Sequence, residues 1–356
     1  MNVFTGIMLV FAAIGLIDKI FSLRWGLTES FDKGLHTMGT MVIPIVGVCT
    51  VGAEFIGRHG EAFQTLSSVM PFDSTLIVGA LLAPDVGGYF VAEALTDSPE
   101  LLIMNGVVVG TLLGQAICFQ LPVFLSTLDR KNYRVVLKGF LVGMTMIPVG
   151  MLAAEAIFRM DIVLFLRQFI PVLVICLLIA LGLYRIPDRM VKGSLVIGRI
   201  IQMATNIMFF IAVLGIFVPA LRYVSIDAVS QAVMIVFKSA IIIAGSLVMS
   251  ELVMKFFRKQ LEEIAGRLGT NGISVICILM NCATSLAILP LFDRMDEKGK
   301  QLNSAFSISG SYVLGGSMAF VSAVSSGYVV TVFIISKLVS GLLSMFIMHR
   351  IGGKND

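Results

Sequence analysis

The chain has 356 residues, of which 57% are hydrophobic and 13% charged, with a mean hydropathy of +0.97. Soluble domains carry about 25% charged residues, so there is too little charge here to cover a soluble core. The near balance of 26 Lys and Arg against 22 Asp and Glu is not typical of a nucleic-acid-binding protein, and the apolar content excludes a disordered chain. The composition predicts an integral membrane protein whose surroundings are the lipid bilayer.

Eleven apolar segments are long enough to cross a hydrocarbon core about 30 Å thick, which takes about 20 helical residues. They lie near residues 1–23, 35–57, 72–95, 101–127, 135–158, 162–184, 194–221, 229–256, 272–292, 303–324 and 328–349. The ninth and tenth contain MNCATS and SISGSYVLGGS, which are polar enough for re-entrant or broken helices. We therefore predict an all-α, polytopic bundle of about ten or eleven spans, forming one membrane domain over residues 1–356.

Basic loops predict the orientation, because cytoplasmic loops are rich in Lys and Arg. Loops 129–138, 185–199 and 255–267 carry four basic residues each, whereas loops 159–167 and 222–228 carry two and one. The first three are therefore expected in the cytoplasm, with the N-terminus inside. On this count, further basic residues face outward: Lys19, Arg24, Lys33, Arg294, Lys298 and Lys300.

A weak internal similarity recurs at a spacing of 198 residues. STLIVGALLA at 74–83 corresponds to GISVICILMN at 272–281, and each leads through an acidic connector into a span that contains Asn105 or Asn303. We predict repeats 1–158 and 199–349, joined by span 162–184; the alternative is chance similarity of apolar segments. Six predicted spans separate the halves, which gives a parallel repeat, whereas one miscounted crossing would give an inverted one. Many transporters bind substrate between such repeats, on discontinuous helices.

An ionisable residue within a span is costly and calls for a reason. Asp85 lies mid-span in LLAPDVGGYF, where Pro84 removes a backbone donor and the paired glycines tolerate unwound backbone. Freed carbonyls beside a carboxylate predict a cation-binding pocket, to which an aromatic ring adds a cation–π surface. The alternative is a kinked helix whose Asp85 pairs with Lys238 or Lys337. The first-half candidates are Asp85, Gly87, Gly88, Tyr89 and Gln115.

The second half offers neutral polar groups instead of a carboxylate. Hydroxyls and an amide at this density are able to line an aqueous path, or equally to hydrogen-bond between helices. The second-half candidates are Asn281, Thr284, Ser285, Gly316 and Ser317.

The sequence predicts neither a metal site nor a cofactor. His36, His59 and His349 are far apart, and the five cysteines form no C-x-x-C pair. No phosphate-binding loop is found, and no nucleophile with a base is placed to help Asp85. We therefore expect a transporter of a small molecule and not an enzyme; a homo-oligomer is compatible with the sequence.

Five stretches carry a family resemblance: FDKGLHTMGTMVIPIVGV, LLAPDVGGYFVAEAL, LKGFLVGMTMIPVG, FIPVLVICLLIALGLYRIPDRMVKG and FDRMDEKGKQLNSAFSISGSYVLGGSMAF. Through them the chain resembles the bacterial ethanolamine-utilisation permease family along nearly its whole length. The resemblance implies a multi-pass transporter of ethanolamine, a small cationic amino alcohol, in the cytoplasmic (inner) membrane. It also makes Asp85, Gly87 and Gly88 the best candidates carried over from a family motif.

The chain departs from the family pattern in two places. Gly316 and Ser317 stand where the family has an Asp-His pair, and Thr284 and Ser285 stand where it has paired asparagines. Our prediction is transport of a small amine, ethanolamine or a related amino alcohol, with Asp85 binding the ammonium group. Hydroxyls of the second half would bind the substrate hydroxyl. The departures leave open a neutral, zwitterionic or differently sized substrate, and a same-fold transporter coupled to H⁺ or Na⁺ is the alternative.

Overall fold

The computed structural model describes residues 3–59 and 70–352, and every regular element in these ranges is a helix. The all-α prediction is confirmed. Seven of the described helices are long and apolar enough to cross a membrane, as expected of a polytopic membrane protein: Thr28–Ile56, Pro99–Thr127, Arg130–Phe158, Ile162–Arg185, Pro187–Phe217, Ile226–Phe256 and Gly327–Ile351.

The helices are named here in chain order. They are α1 (Val3–Phe21), α2 (Thr28–Val46, continued by a π-helical turn at Gly47–Gly52 and by Ala53–Arg58), α3 (Ser74–Leu81), α4 (Gly88–Leu95), α5 (Pro99–Thr127), α6 (Tyr133–Phe158), α7 (Ile162–Arg185), α8 (Pro187–Phe217), α9 (Ile226–Phe256), α10 (Arg258–Leu268), α11 (Gly272–Ala283), α12 (Glu297–Ser309), α13 (Gly316–Val324) and α14 (Gly327–Gly352). A 3₁₀ helix, Ser285–Arg294, follows α11.

The predicted third span, 72–95, does not cross the bundle. It folds into two helices of eight residues each, α3 and α4, which form the first hairpin. At its start, Thr75 Oγ1 accepts a hydrogen bond of 2.9 Å from Asn105 Nδ2 of α5. At its end, a Cβ added to Gly106 of α5 would lie 3.3 Å from Ala92 Cβ. Both ends of the hairpin therefore lie beside the same turn of α5.

The tip of the first hairpin lies deeper along α5. A Cβ on Gly110 would lie 3.1 Å from Pro84 Cγ, and one on Gly114 would lie 2.5 Å from the carbonyl oxygen of Leu82. Gly106, Gly110 and Gly114 recur every four residues, so they form a smooth face on which the hairpin packs.

The predicted ninth span, 272–292, also doubles back. Asn271 Nδ2, at the start of this second hairpin, donates to the carbonyl oxygen of Arg294 at its end, at 2.9 Å. Ser274 Oγ is held 2.9 Å from Asp296 Oδ1. The chain reverses at Thr284, whose extended backbone separates α11 from the 3₁₀ helix. The expectation that this polar segment is re-entrant or broken therefore agrees with the geometry.

The two hairpins enter the bundle from opposite ends. Five helices, α5 to α9, lie between them, and an odd number of crossings reverses the direction of approach. The parallel arrangement expected from sequence counted residues 72–95 as a crossing, whereas they fold here as a hairpin. Positions 28–58 of α2 and 226–256 of α9 coincide at the 198-residue offset, as do the helix N-caps Asp73 and Asn271. We propose that the predicted duplication is an inverted one.

This topology also corrects the assignment of basic residues to the two ends. Lys255 Nζ donates to the carbonyl oxygen of Trp25 at 2.6 Å, and Lys131 forms a 2.8 Å ion pair with Asp293. The Lys131 ammonium lowers the pKa of Asp293 to about 2, so this carboxyl stays ionised at physiological pH. The residues that the sequence count placed outside, Lys19, Arg24, Lys33, Arg294, Lys298 and Lys300, thus lie at the same end as the three basic loops.

We call this end of the bundle the basic end. The opposite end carries Arg58, Arg159, Arg167 and Arg222. The positive-inside rule assigns the basic end to the cytoplasm. Because α1 reaches the basic end at Phe21, the N-terminus is then expected outside, not inside.

Candidate functional site

A cavity of about 290 Å³ lies between the tips of the two hairpins. Residues 83–86 of the first tip and 283–286 of the second contribute to its wall, together with α2, α5 and α9. We call it the central cavity. Its lining comprises Thr37, Thr40, Met41, Pro44, Ala83, Asp85, Val86, Gln115, Phe119, Ile243, Leu247, Ala283, Thr284, Leu286, Tyr312 and Gly316.

The first tip holds Asp85 in a short turn of 3₁₀ helix, Pro84–Val86. Proline suits the first position of this turn, where no backbone donor is needed. The turn ends at Gly87, whose φ of +98° lies in the left-handed region that glycine adopts without strain. Asp85 is half-buried and lines the cavity; among the described residues, no other side chain donates a hydrogen bond to its carboxylate.

A second ionisable side chain, Lys337 of α14, lies fully buried near the cavity. Its Nζ donates to the Thr111 carbonyl oxygen at 2.7 Å and to Gln115 Oε1 at 2.6 Å. Within the described residues, Lys337 forms no ion pair with Asp85, and both of its hydrogen bonds are to neutral oxygens. Lys238, the other partner considered for Asp85, is exposed. The kinked-helix alternative with a paired Asp85 therefore gains no support from the geometry.

The second tip is already hydrogen-bonded to its neighbours. Ser285 Oγ lies 3.0 Å from Gln120 Oε1 and 2.9 Å from the Tyr312 hydroxyl. Gln120 Nε2 in turn donates to Ser311 Oγ at 2.6 Å. Thr284 presents its side chain to the cavity, whereas Ser285 is fully buried behind it.

Of the ten residues predicted for the site, four line the cavity: Asp85, Gln115, Thr284 and Gly316. The other six are placed around it and not in its wall. Gly87 packs against Val48, Gly88 against the carbonyl oxygens of the turn, and Ser317 is buried in α13. Asn281 donates to Ser307 Oγ at 2.6 Å.

Tyr89 is among the six, and its expected cation–π role is not supported by its position. Its ring packs edge-on against Phe90 and Phe320, with centroid distances of 5.4 and 6.1 Å. This aromatic cluster lies on the side of the first hairpin that faces the end opposite the basic end.

Sequence reasoning missed most of the apolar wall and its contribution from α2. Thr37, Thr40 and Pro44 recur at spacings of three and four residues, which places them on one helix face. Hydroxyl residues at this spacing in an apolar segment could have indicated that this face of α2 lines a polar cavity. Tyr312 was missed because nothing local marks it; its left-handed φ of +60° depends on the second tip, where Asn281 accepts its backbone N–H at 3.1 Å.

A larger cavity of about 740 Å³ adjoins the central one toward the basic end. The two share Thr40, Pro44, Val86 and Phe119 in their linings, and the larger one extends to Ser126 and Arg199. At the opposite end, a cavity of about 710 Å³ near Glu54, Arg58 and Tyr223 shares no lining residue with the central cavity. This conformation therefore communicates with the basic end.

The cavity lining combines one unpaired carboxylate, one amide and four hydroxyl-bearing residues (Thr37, Thr40, Thr284 and Tyr312) with apolar walls. This set suits a small organic cation that carries a hydrogen-bonding group. Within the described residues, no cluster of three or more His, Cys, Asp or Glu side chains is able to hold a metal ion.

Comparison with known proteins identifies the family of this chain. A relative in Listeria monocytogenes, named probable ethanolamine permease EutH, is 26% identical over 98% of this chain and 94% of its own length. A protein of the same name in Salmonella typhimurium is 24% identical over 98% and 95%, and the uncharacterised YxeR of Bacillus subtilis is 25% identical over 94% and 90%. No solved structure matches the chain. The family model described as "Ethanolamine utilisation protein, EutH" matches residues 1–351, so the chain belongs to the EutH family.

Proposed function

We propose that this chain transports a small amino alcohol, most simply ethanolamine, and that the central cavity is its substrate site. The observation that carries the proposal is the unpaired carboxylate of Asp85 at the tip of a re-entrant hairpin. The names of the relatives support the substrate class, since two of them are probable ethanolamine permeases.

The ammonium group of the substrate binds at Asp85. A carboxylate in a low-dielectric site needs a compensating charge or donors, and Asp85 has no donor side chain of its own among the described residues. An incoming ammonium supplies both. Charge-assisted hydrogen bonds of this kind contribute about 1.5–3 kcal/mol, which is enough for selection and weak enough for release.

Gly316 keeps space for that ammonium. A Cβ at this position would lie 3.7 Å from Asp85 Oδ2, so any longer side chain would occupy the cavity beside the carboxylate. The departure from the family pattern at Gly316 therefore enlarges the pocket around Asp85 as well as removing a charge. We expect this chain to accept slightly larger amines than a variant with a side chain there.

Transport requires the cavity to open alternately to each end. The conformation described here communicates with the basic end, so we assign it to the cytoplasm-facing state. Because the hairpins approach from opposite ends, each tip is suited to gate one side. Movement of the first hairpin that separates its Tyr89 and Phe90 rings from Phe320 of α13 would open the other.

Uptake of radiolabelled ethanolamine into liposomes containing the purified protein tests the proposal. Asp85→Asn should reduce uptake to background, since it removes the charge and keeps the shape. Asp227→Asn, at an exposed carboxylate in the first turn of α9, is the matched control and should leave uptake unchanged. Wild-type uptake by Asp85→Asn would refute the assigned role. Accumulation that collapses with a proton or sodium ionophore would assign ion coupling, the alternative left open by the sequence.

A further inference from the structure

We infer that Lys337 fixes the orientation of the Gln115 amide, so that the central cavity presents a hydrogen-bond donor in addition to the Asp85 carboxylate. On this basis the site selects amines that carry a hydrogen-bond acceptor, such as amino alcohols, over simple alkylamines. The inference deepens the proposed function and rests on it for the ammonium contact at Asp85.

The first step is the chemistry of the lysine. An ammonium group has three donors and no acceptor, so a partner must offer it an oxygen. Lys337 is fully buried, and its Nζ meets the Thr111 carbonyl oxygen at 2.7 Å and Gln115 at 2.6 Å. The side-chain amide of Gln115 must therefore turn Oε1 toward the lysine. Rotating the amide by 180° would bring two donors face to face.

The second step concerns which group of the Gln115 amide is available to a ligand in the cavity. Gln115 belongs to the cavity wall, and no hydrogen bond from its Nε2 to another described residue is present. With Oε1 occupied by Lys337, the free end of the amide is its NH₂ group. A glutamine is otherwise able to offer either a donor or an acceptor, so the buried lysine removes that ambiguity.

The third step is the match to a ligand. Asp85 accepts hydrogen bonds only, whereas the oriented Gln115 amide donates. A ligand that satisfies both has an ammonium at one end and a hydroxyl or ether oxygen at the other. Ethanolamine meets this requirement. Its isostere n-propylamine has a methyl group in place of the hydroxyl, so it would bury the Gln115 NH₂ without a partner, which is unfavourable.

Lys337 is thus a positioning residue, and its role is measurable as a ratio. Because a hydroxyl both donates and accepts, the experiment uses an ether, whose oxygen only accepts: it compares the Kd values of 2-methoxyethylamine and its apolar analogue n-butylamine for the purified full-length protein and its variants. The wild type should favour 2-methoxyethylamine by about 10-fold, the range expected when a site with an oriented donor meets an apolar analogue. Lys337→Met keeps the length of the side chain and leaves the amide free to turn Oε1 to the cavity, so it should lower this ratio toward one, with n-butylamine binding retained.

A matched control and a second variant make the test specific. Lys238→Met removes an exposed lysine from α9 and should keep the wild-type ratio. Gln115→Glu lets Lys337 pair with a carboxylate that offers only acceptors to the cavity, so the preference for the acceptor-only ether 2-methoxyethylamine over n-butylamine should also disappear. Gln115→Glu keeps a hydrogen-bond partner for the buried lysine, so it tests the inference even if Lys337→Met does not fold.

Three results would overturn the inference: an unchanged ratio in Lys337→Met, an unchanged ratio in Gln115→Glu, or equal loss of both ligands in a folded Lys337→Met. Failure of the proposed function gives a different pattern. In that case Asp85→Asn would retain both amines, because the ammonium would bind elsewhere.

Discussion

The first hairpin turns over Pro84–Val86 with a carboxylate at its tip, whereas the second turns at Thr284 with two adjacent hydroxyls. Both approach the same cavity, from opposite ends of the bundle. The first tip leaves Asp85 without a hydrogen-bonding side chain among the described residues. The second is joined through Ser285 to Gln120 and Tyr312.

The two tips differ in charge, which suggests that the two hairpins have different roles in the site. On the proposed function, the charged tip would supply electrostatic attraction, and the neutral tip would supply rigidity and hydroxyls. A carboxylate on each tip would place two acids in one small cavity, where they tend to share a proton and to bind a single cation less well. One charged and one neutral tip suit a ligand with one charged and one neutral end.

The largest expected effect is the presence or absence of thiol labelling, which tests whether the two hairpins enter the bundle from opposite ends. Asp97→Cys lies at the base of the first hairpin and Glu297→Cys just after the second, and both native side chains are exposed. In intact cells, a membrane-impermeant thiol reagent should label only the Asp97→Cys protein. The parent protein measures background from the native cysteines. Labelling of both variants from outside would restore the parallel arrangement.

The next effect tests why the first tip needs a glycine. At Gly87 a side chain meets two obstacles: a left-handed φ of +98°, and Val48, whose Cβ would lie 2.2 Å from the new Cβ. Strain costs about 1–3 kcal/mol and overpacking a similar amount, so Gly87→Ala should lower stability by about 3 kcal/mol and abolish transport. Gly193→Ala, where the added Cβ meets nothing within 4 Å, is the control. Normal transport by Gly87→Ala would show that this tip tolerates a different backbone.

At the second tip a glycine is needed for a different reason. Gly315 has a φ of −118°, outside the left-handed region, but its added Cβ would lie 1.6 Å from the carbonyl oxygen of Ala283. Gly315→Ala should therefore push the second tip away by steric overlap, at about 1–3 kcal/mol in a thermal or denaturant assay. A stability equal to that of Gly193→Ala would mean that this contact relaxes without cost.

The first tip could be predicted from local sequence, whereas the rest of the site depends on contacts between residues that are far apart in the chain. Pro84, Asp85 and the following glycines predict a broken helix with a charge, because each residue type constrains its own backbone. The distinction between a hairpin and a span was not available from composition, since residues 74–95 are as long and apolar as a crossing helix. It depends on the glycine face of α5, which accepts the two short helices side by side.

The contact between Lys337 and Gln115 joins residues that are 222 positions apart. Sequence reasoning considered Lys337 as an ion-pair partner of Asp85, because a buried lysine with two neutral acceptors leaves no pattern along the chain. Asn281 and Ser317 were expected in the site on the strength of their polarity. They lie outside the cavity wall because polar groups in a bundle also bond between helices, which was the stated alternative.

The smallest expected effect separates the two hydroxyls of the second tip. Thr284 lines the cavity, whereas Ser285 is buried and bonded to Gln120 and Tyr312. Ser285→Ala removes these contacts and should cost about 1–2 kcal/mol of stability, with ethanolamine affinity changed by less than about 3-fold. Thr284→Val keeps the shape and removes a hydroxyl from the cavity, so it should weaken ethanolamine binding by about 3- to 10-fold. It also removes the acceptor for the Leu286 N–H at the start of the 3₁₀ helix, at 3.3 Å, and should cost about 0.5–2 kcal/mol of stability. Thermal unfolding and equilibrium binding on both variants measure the two effects independently. If Ser285→Ala weakens binding more than Thr284→Val does, the second tip acts through its hydrogen-bonded support and not through the hydroxyl that it shows to the ligand.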